Sequence, residues 1–210
     1  SNTPLTGILS LCEVLYSCYD KLDDTLIKRS IKDIVNSGDR LKTYVSSIVD
    51  LSKLSSLNYK LNKIDVNLSE LVKERTILYK KIFPDETNTQ EFKFNIESNI
   101  IFNCDEYYIS QVLDNLISNA VLYGKGSPIT ISLQKTKDNK VKFDIIDQGI
   151  GISEQELLNI TRKFYRVSQN GWNNSLGLGL YIVHIILNLH DFKLEINSIY
   201  HEGSEFIINY

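Results

Sequence analysis

The spacing of apolar residues changes partway along this chain of 210 residues, and that change limits the folds open to it. Between residue 3 and about residue 56 the apolar side chains step by three and four. Leu5, Ile8, Cys12, Leu15 and Tyr19 come first; beyond a polar break at Lys21 to Thr25 follow Ile27, Ile31, Ile34, Leu41, Val45 and Ile48. Such steps place side chains on one helix face, and the second run approaches a heptad seam. Two helices joined by a short polar turn predict an antiparallel hairpin. Its apolar stripe has too little material to cover it and must pack on the other domain or on a second copy of itself; a homodimer closing as a four-helix bundle is the economical solution.

The helical spacing lapses from about Ser56 to Asp65, which puts a domain boundary there: 1–60 for the hairpin and 61–210 for the second domain. "NLSELVKERTILYKKI" then resumes a helix with Asn67 as its N-cap. The short runs "FKFNI", "ITISLQ", "VKFDIID", "LEINSI" and "EFIINY" read as strands, with helical patterns at 105–122, 153–162 and 177–189 between them. One sheet covered by helices on one face is expected, an α/β sandwich, making the whole chain α+β.

Charge and cysteine content narrow the partners. A net charge of −3 provides no basic field for nucleic acid, and no apolar run is long enough to span a bilayer. Cys12, Cys18 and Cys104 form no CxxC pair, which suits buried thiols in a reducing compartment.

Three stretches of the second half carry chemistry. In "QVLDNLISNA", Asn115 and Asn119 lie four apart and share a helix face, while Val112, Leu113, Leu116 and Ile117 supply its buried side. Amide oxygens are neutral hard ligands suited to Mg²⁺, although two asparagines on a solvated face are also ordinary. In "VKFDIIDQGIGIS" a strand ends at Asp147 and runs into Gly149 and Gly151, which permit a tight turn and close approach of a ligand. An Asp there can accept from the exocyclic amine of adenine, or can serve only the turn. In "NNSLGLGLYIVHIIL" Gly177 and Gly179 open an apolar helix, where backbone N–H groups make an anion site.

In this order the stretches resemble the ATP-binding domain of sensor histidine kinases and of the wider family that includes the gyrase, Hsp90 and MutL ATPases. "DNLISNA" resembles that family's N box, "DQGIGIS" its first glycine box, "KFYRV" the aromatic box beside the ATP lid and "LGLGLYIV" its second glycine box. Upstream, "TPLTGI" is similar to the end of the H box and "VDLSKL" to the end of the second helix of the dimerisation and phosphotransfer hairpin, so the likeness spans essentially the whole chain.

The resemblance implies roles for particular residues. Asp147 would bind the adenine amine, with Gly149 and Gly151 shaping the pocket; Asn119 would hold Mg²⁺, assisted by Asn115. Tyr123 would pack on the nucleotide, Gly177, Leu178 and Gly179 would offer amides to its phosphates, and Lys163, Phe164 and Arg166 would edge the lid. Thr3 stands at the position linked to dephosphorylating the partner. Leu122, where the family often has a basic residue, and Ser175, in place of a glycine, depart from the pattern.

The implied activity is that of a cytoplasmic histidine kinase core. It would use ATP and Mg²⁺, act as a homodimer, and pass the phosphoryl group from a histidine to a response-regulator receiver domain. The acceptor histidine is expected two residues upstream of Ser1, and any membrane attachment in upstream segments. His184, His190 and His201 lie in the ATP-binding half and are read as structural or surface residues. The alternative is a degenerate kinase serving as a nucleotide-responsive dimeric scaffold.

Overall fold

The computed structural model describes residues 4–55, 59–83, 87, 90–138, 140–166 and 177–209, which fall into two compact units, one on either side of residues 57 and 58.

The first unit is the expected hairpin. Helix α1 (Pro4–Cys18) and helix α2 (Asp24–Leu54) are joined through a single 3-10 turn at Tyr19–Lys21. The Asp23 carboxylate starts α2 by accepting from the Leu26 amide at 2.7 Å. No residue of α1 is buried. Ile8, Leu11, Leu15, Ile27, Ile34 and Leu41 are half-buried, whereas Leu5, Leu9, Ile31, Val35, Val45 and Ile48 remain exposed. The stripe read as one face in the sequence is therefore split, half used within the hairpin and half uncovered. No helix among the described residues is long and apolar enough to cross a membrane.

The second unit is a five-stranded sheet backed by helices. It comprises β1 (Ile64–Asn67), α3 (Leu68–Ile82), β2 (Phe92–Ile96), β3 (Ile101–Cys104), α4 (Glu106–Gly124), β4 (Ile129–Lys135), β5 (Val141–Asp147), α5 (Glu154–Leu157), α6 (Gly179–Leu189), β6 (Lys193–Ile199) and β7 (Gly203–Asn209). The sheet order is β2-β4-β5-β7-β6, with β2 parallel to β4 and the remaining neighbours antiparallel. On the covered face Leu133, Phe143, Ile208 and Leu194 form one cross-strand rung, and Ile131, Ile145, Phe206 and Ile196 the next. Against them α4 buries Ile109, Val112, Leu113, Leu116, Ile117 and Ala120, and α6 buries Ile182, Val183, Ile186 and Leu187.

Caps fix where the helices begin. Asn67 accepts from the Glu70 amide at 3.3 Å, as its sequence position predicted, and Asp105 accepts from the Tyr108 amide at 3.4 Å. Arg75 of α3 grips Asp114 of α4 with a two-pronged pair, Nε to Oδ1 at 2.9 Å and Nη2 to Oδ2 at 2.5 Å.

Three readings need correction. Of the thiols read as buried only Cys104 is so; Cys12 is exposed and Cys18 half-buried, because the hairpin buries no residue of α1. Ile64–Asn67, within and just after the stretch taken as a break, pairs antiparallel with Ile101–Cys104 in a second, two-stranded sheet. The helix expected over 153–162 is only Glu154–Leu157: a capping box starts it, with Glu156 accepting from the amide and the hydroxyl of Ser153, and beyond it three-residue turn bonds take over, from Arg162 to Asn159 and from Tyr165 to Arg162.

Candidate functional site

The site is built where β5 stops. Asp147 is 5% exposed, and its Oδ1 accepts from the Gly149 amide at 2.9 Å. Burial pushes the carboxyl above the ordinary carboxylate range, and the amides of Gly149 and Ser204 pull the other way. The next turn is pressed against the end of α4. Ile150 donates to the Tyr123 carbonyl at 3.1 Å, and a β-carbon on Gly149 would stand 2.0 Å from that oxygen. Only glycine fits such an approach. On its other side the turn meets the β6–β7 hairpin, where His201 donates to the Ile150 carbonyl at 2.8 Å and a β-carbon on Gly151 would lie 2.0 Å from the Ile199 carbonyl.

Helix α4 brings its amides to this end of the sheet. Asn115 and Asn119 are both half-buried on one flank. The Asn115 Nδ2 donates to the Gln111 carbonyl at 2.9 Å, and its Oδ1 would lie 2.7 Å from a β-carbon on Gly179, so the start of α6 rests directly on that amide. The Asn119 amide has no hydrogen-bond partner among the described residues. Tyr123 is half-buried one turn further on. Gly124 comes next, where a β-carbon would sit 3.5 Å from the Asp147 Cβ, so carboxylate, turn and helix end converge.

The segment ends at 166 and 177 are held together. Phe164 donates to the Gly177 carbonyl at 3.1 Å; Gly177 has φ +67°, with the Tyr165 carbonyl 2.4 Å from where a β-carbon would be. Phe164 itself has a left-handed φ of 63°, its ring is exposed, and the Lys163 ammonium lies 5.2 Å from the ring centroid. Arg166 is exposed, and its Cγ is 3.0 Å from the same hypothetical atom on Gly177. Leu178 is buried as the N-cap of α6 and accepts from the Ile182 amide at 2.8 Å. Thr3 and Ser175 lie outside the described residues.

His201 meets this convergence of groups through its backbone N–H on Ile150, whereas His184 and His190 lie further along α6. His190 is buried at the other end of α6: its Nδ1 donates to the Ile186 carbonyl at 2.8 Å, and its Nε2 accepts from the Asp105 amide at 3.1 Å. That fixes a neutral tautomer. His184 is bonded to Asn188 at 3.0 Å, and His201 is exposed against Tyr200.

Four residues that matter here were not singled out in the sequence: Gly124, Ser198, Gly203 and Ser204. The glycine of "HEGSEF" at a strand start was the available signal for the last two; at Gly203 φ is +130°, and a β-carbon would stand 2.1 Å from the Asp147 carbonyl.

Residues 104–210 match the family described as histidine kinase-, DNA gyrase B-, and HSP90-like ATPase. The chain belongs to that family. Within it, the chain is similar to sensor histidine kinases, one being the phosphate regulon sensor protein PhoR of Haemophilus influenzae. That protein is 31% identical over 97% of this chain and 47% of its own length. Curated relatives are matched over only part of their length, 24% in another case and 50% in a third, so the chain spans half or less of the length of these relatives. Among solved structures, the Acinetobacter baumannii histidine kinase AdeS superposes with a TM-score of 0.75 over 99% of this chain and 94% of its own, at 23% identity, which shows the shared fold. Histidine kinase ThkA, in its complex with response regulator protein TrrA, superposes with a TM-score of 0.73 at 25% identity over 98% of this chain and 57% of its own.

Proposed function

We infer that this chain is the cytoplasmic kinase core of a sensor histidine kinase, with residues 1–60 as the dimerisation and phosphotransfer hairpin and 61–210 as the domain that binds Mg-ATP. The observation that carries the reading is the convergence of Asp147, Gly149, the α4 end at Tyr123–Gly124, and the Asn115 amide under the Gly177–Gly179 helix start. A buried acceptor beside a glycine turn suits an exocyclic amine, and the first amides of an eleven-residue helix suit phosphate. Tyr123 offers a ring to the base; Lys163 and Arg166 offer charge to the phosphates, and Phe164 borders them.

A magnesium ion fits the donor set. Among the described residues no cluster of three or more His, Cys, Asp or Glu side chains could hold one, so the ion would depend on Asn119, assisted by Asn115, with water and phosphate oxygens completing its shell. Bound there, it would neutralise charge on the phosphates. The chain's three histidines, His184, His190 and His201, all lie outside the hairpin, and none of them is the proposed phosphoryl acceptor. The complex of ThkA with TrrA supports a receiver domain as the next acceptor.

Titration calorimetry with ADP tests the reading. Micromolar binding that strengthens with Mg²⁺ is expected. Loss of that metal dependence in Asn119→Ala, with ADP still bound, supports the ligand assignment; no nucleotide binding by the intact protein would overturn the whole reading.

A further inference from the structure

At one end of the covered face the apolar rungs of the sheet give way to a polar one. Beyond Ile145, Phe206 and Ile196 stand Asp147, Ser204 and Ser198, in register across β5, β7 and β6. Asp147 and Ser204 are buried, and Ser198 is half-buried. The Ser198 hydroxyl has three partners: the Ile152 amide at 2.8 Å, the Gly203 carbonyl at 2.8 Å and the Ser204 hydroxyl at 3.0 Å.

A hydroxyl has one proton to give and two lone pairs to receive with, so these three contacts determine each other. The amide can only donate and the carbonyl can only accept. Ser198 therefore spends its proton on Gly203, and the remaining bond must run from the Ser204 hydroxyl to Ser198 Oγ. With its proton directed along the rung toward Ser198, Ser204 keeps only lone pairs for any other neighbour. Asp147, whose Oδ1 already receives the Gly149 amide, and Ser204 Oγ are thus two acceptors opposite each other on one rung, with lone pairs left for a further donor.

We propose that Ser198 is a positioning residue that sets the polarity of the base pocket. By holding Ser204 as an acceptor beside Asp147, it makes that end of the site favour a base presenting an amino group over one presenting a carbonyl. The inference rests on the reading that Asp147 receives the nucleotide base. Without the Ser198 hydroxyl, Ser204 is free to rotate and donate, and a carbonyl in place of the amine is then tolerated.

The test compares ADP with inosine diphosphate, in which a carbonyl replaces the amine, by calorimetry on the intact chain, Ser198→Ala and Ser198→Thr, with thermal unfolding as a check on folding. The intact protein prefers ADP. In Ser198→Ala the preference narrows by about three- to tenfold, the scale of one neutral hydrogen bond, and Ser198→Thr restores it. A merely loosened turn would weaken both ligands alike, so an unchanged ratio in Ser198→Ala overturns the proposal. Should that variant fail to fold, Ser204→Ala removes the second acceptor directly; an unchanged ratio there overturns it equally. Failure of the intact protein to bind either nucleotide would instead overturn the proposed function itself.

Discussion

The Tyr123 carbonyl and Gly149 are in contact so close that any side chain at 149 would displace the end of α4 from the turn below Asp147. Gly149→Ala forces backbone against backbone, and relief by a side-chain rotation is closed to it. The expected loss is about 1–3 kcal/mol of stability, the scale of overpacking, together with loss of nucleotide binding. Gly126→Ala is the control: φ is +84° but nothing lies within 4 Å of the added atom, so only left-handed strain of about 1–2 kcal/mol applies and binding persists. Urea unfolding and ADP titration of both variants separate the two effects.

Asp147, the proposed acceptor for the nucleotide base, is buried at a cost in stability. Its carboxyl titrates above the ordinary range because it is buried, so the folded protein holds that proton more tightly than the unfolded chain does. Stability contributed by the protonated form is therefore lost as pH rises through the raised value, and at neutral pH the ionised group is a cost. Asp147→Asn should melt higher than the intact protein at pH 7, with the gain shrinking as pH falls into the carboxylate range. ADP affinity should drop about ten- to a hundredfold, since a hydrogen bond to a charged group is lost. A variant no more stable at pH 7, or one binding ADP equally well, would contradict this account.

Gly179 and Gly177 should respond differently to alanine. At Gly179 the obstacle is the Oδ1 of Asn115, 2.7 Å away at the end of a side chain that can turn; at Gly177 it is the Tyr165 carbonyl, at a positive φ. Gly179→Ala keeps its unfolding midpoint, because alanine favours the helix by about 1 kcal/mol and offsets the displaced amide. Nucleotide affinity nevertheless falls about tenfold as Asn115 swings. Gly177→Ala loses both. Equal midpoints for the two variants would refute the distinction.

The uncovered apolar stripe of the hairpin predicts a homodimer through α1 and α2. Ile31 and Val45 are exposed at 50% and 54%, two heptads apart on one face of α2. Light scattering should give twice the chain mass, and Ile31→Asp combined with Val45→Asp should give the monomer with helicity retained. A monomeric intact chain would mean that this stripe has another occupant.

Local signals made much of this legible. Asn67 announced a helix start, the three-four spacing of Val112, Leu113, Leu116 and Ile117 placed α4, and the alternation of Val141, Phe143 and Ile145 placed β5. What escaped depends on distant partners. The four residues of β1 acquire their strand character from Ile101–Cys104, thirty-odd residues later, and read as a polar break by themselves. Ser198 and Ser204 look like any strand serines until the register places them beside Asp147. His190 was read as a structural or surface residue, but its partner was not legible, because Asp105 lies 85 residues away.

That pair carries the last prediction. His190 is 2% exposed and neutral, giving its Nδ1 proton to Ile186 and receiving the Asp105 amide on Nε2, so it joins the start of α4 to the end of α6. Burial lowers its pKa; Lys63 acts in the same sense, while the Ile186 carbonyl, Asp105 and Asp191 oppose. Because the folded state holds the proton less tightly than an unfolded histidine near 6.5, the stability owed to the neutral ring is fully present above that pH. It declines as pH falls from there toward the lowered value, by at most about 1.4 kcal/mol per unit for one proton. Protonation also places a second donor against the Asp105 amide, so the two helix ends part. Urea unfolding at closely spaced pH values between 7.5 and 5 should show this slope in the intact protein. In His190→Gln the slope should flatten, at a cost of about 1–3 kcal/mol at neutral pH from imperfectly matched partners. An identical slope in that variant would assign the acid sensitivity to other groups and leave His190 a packing residue alone.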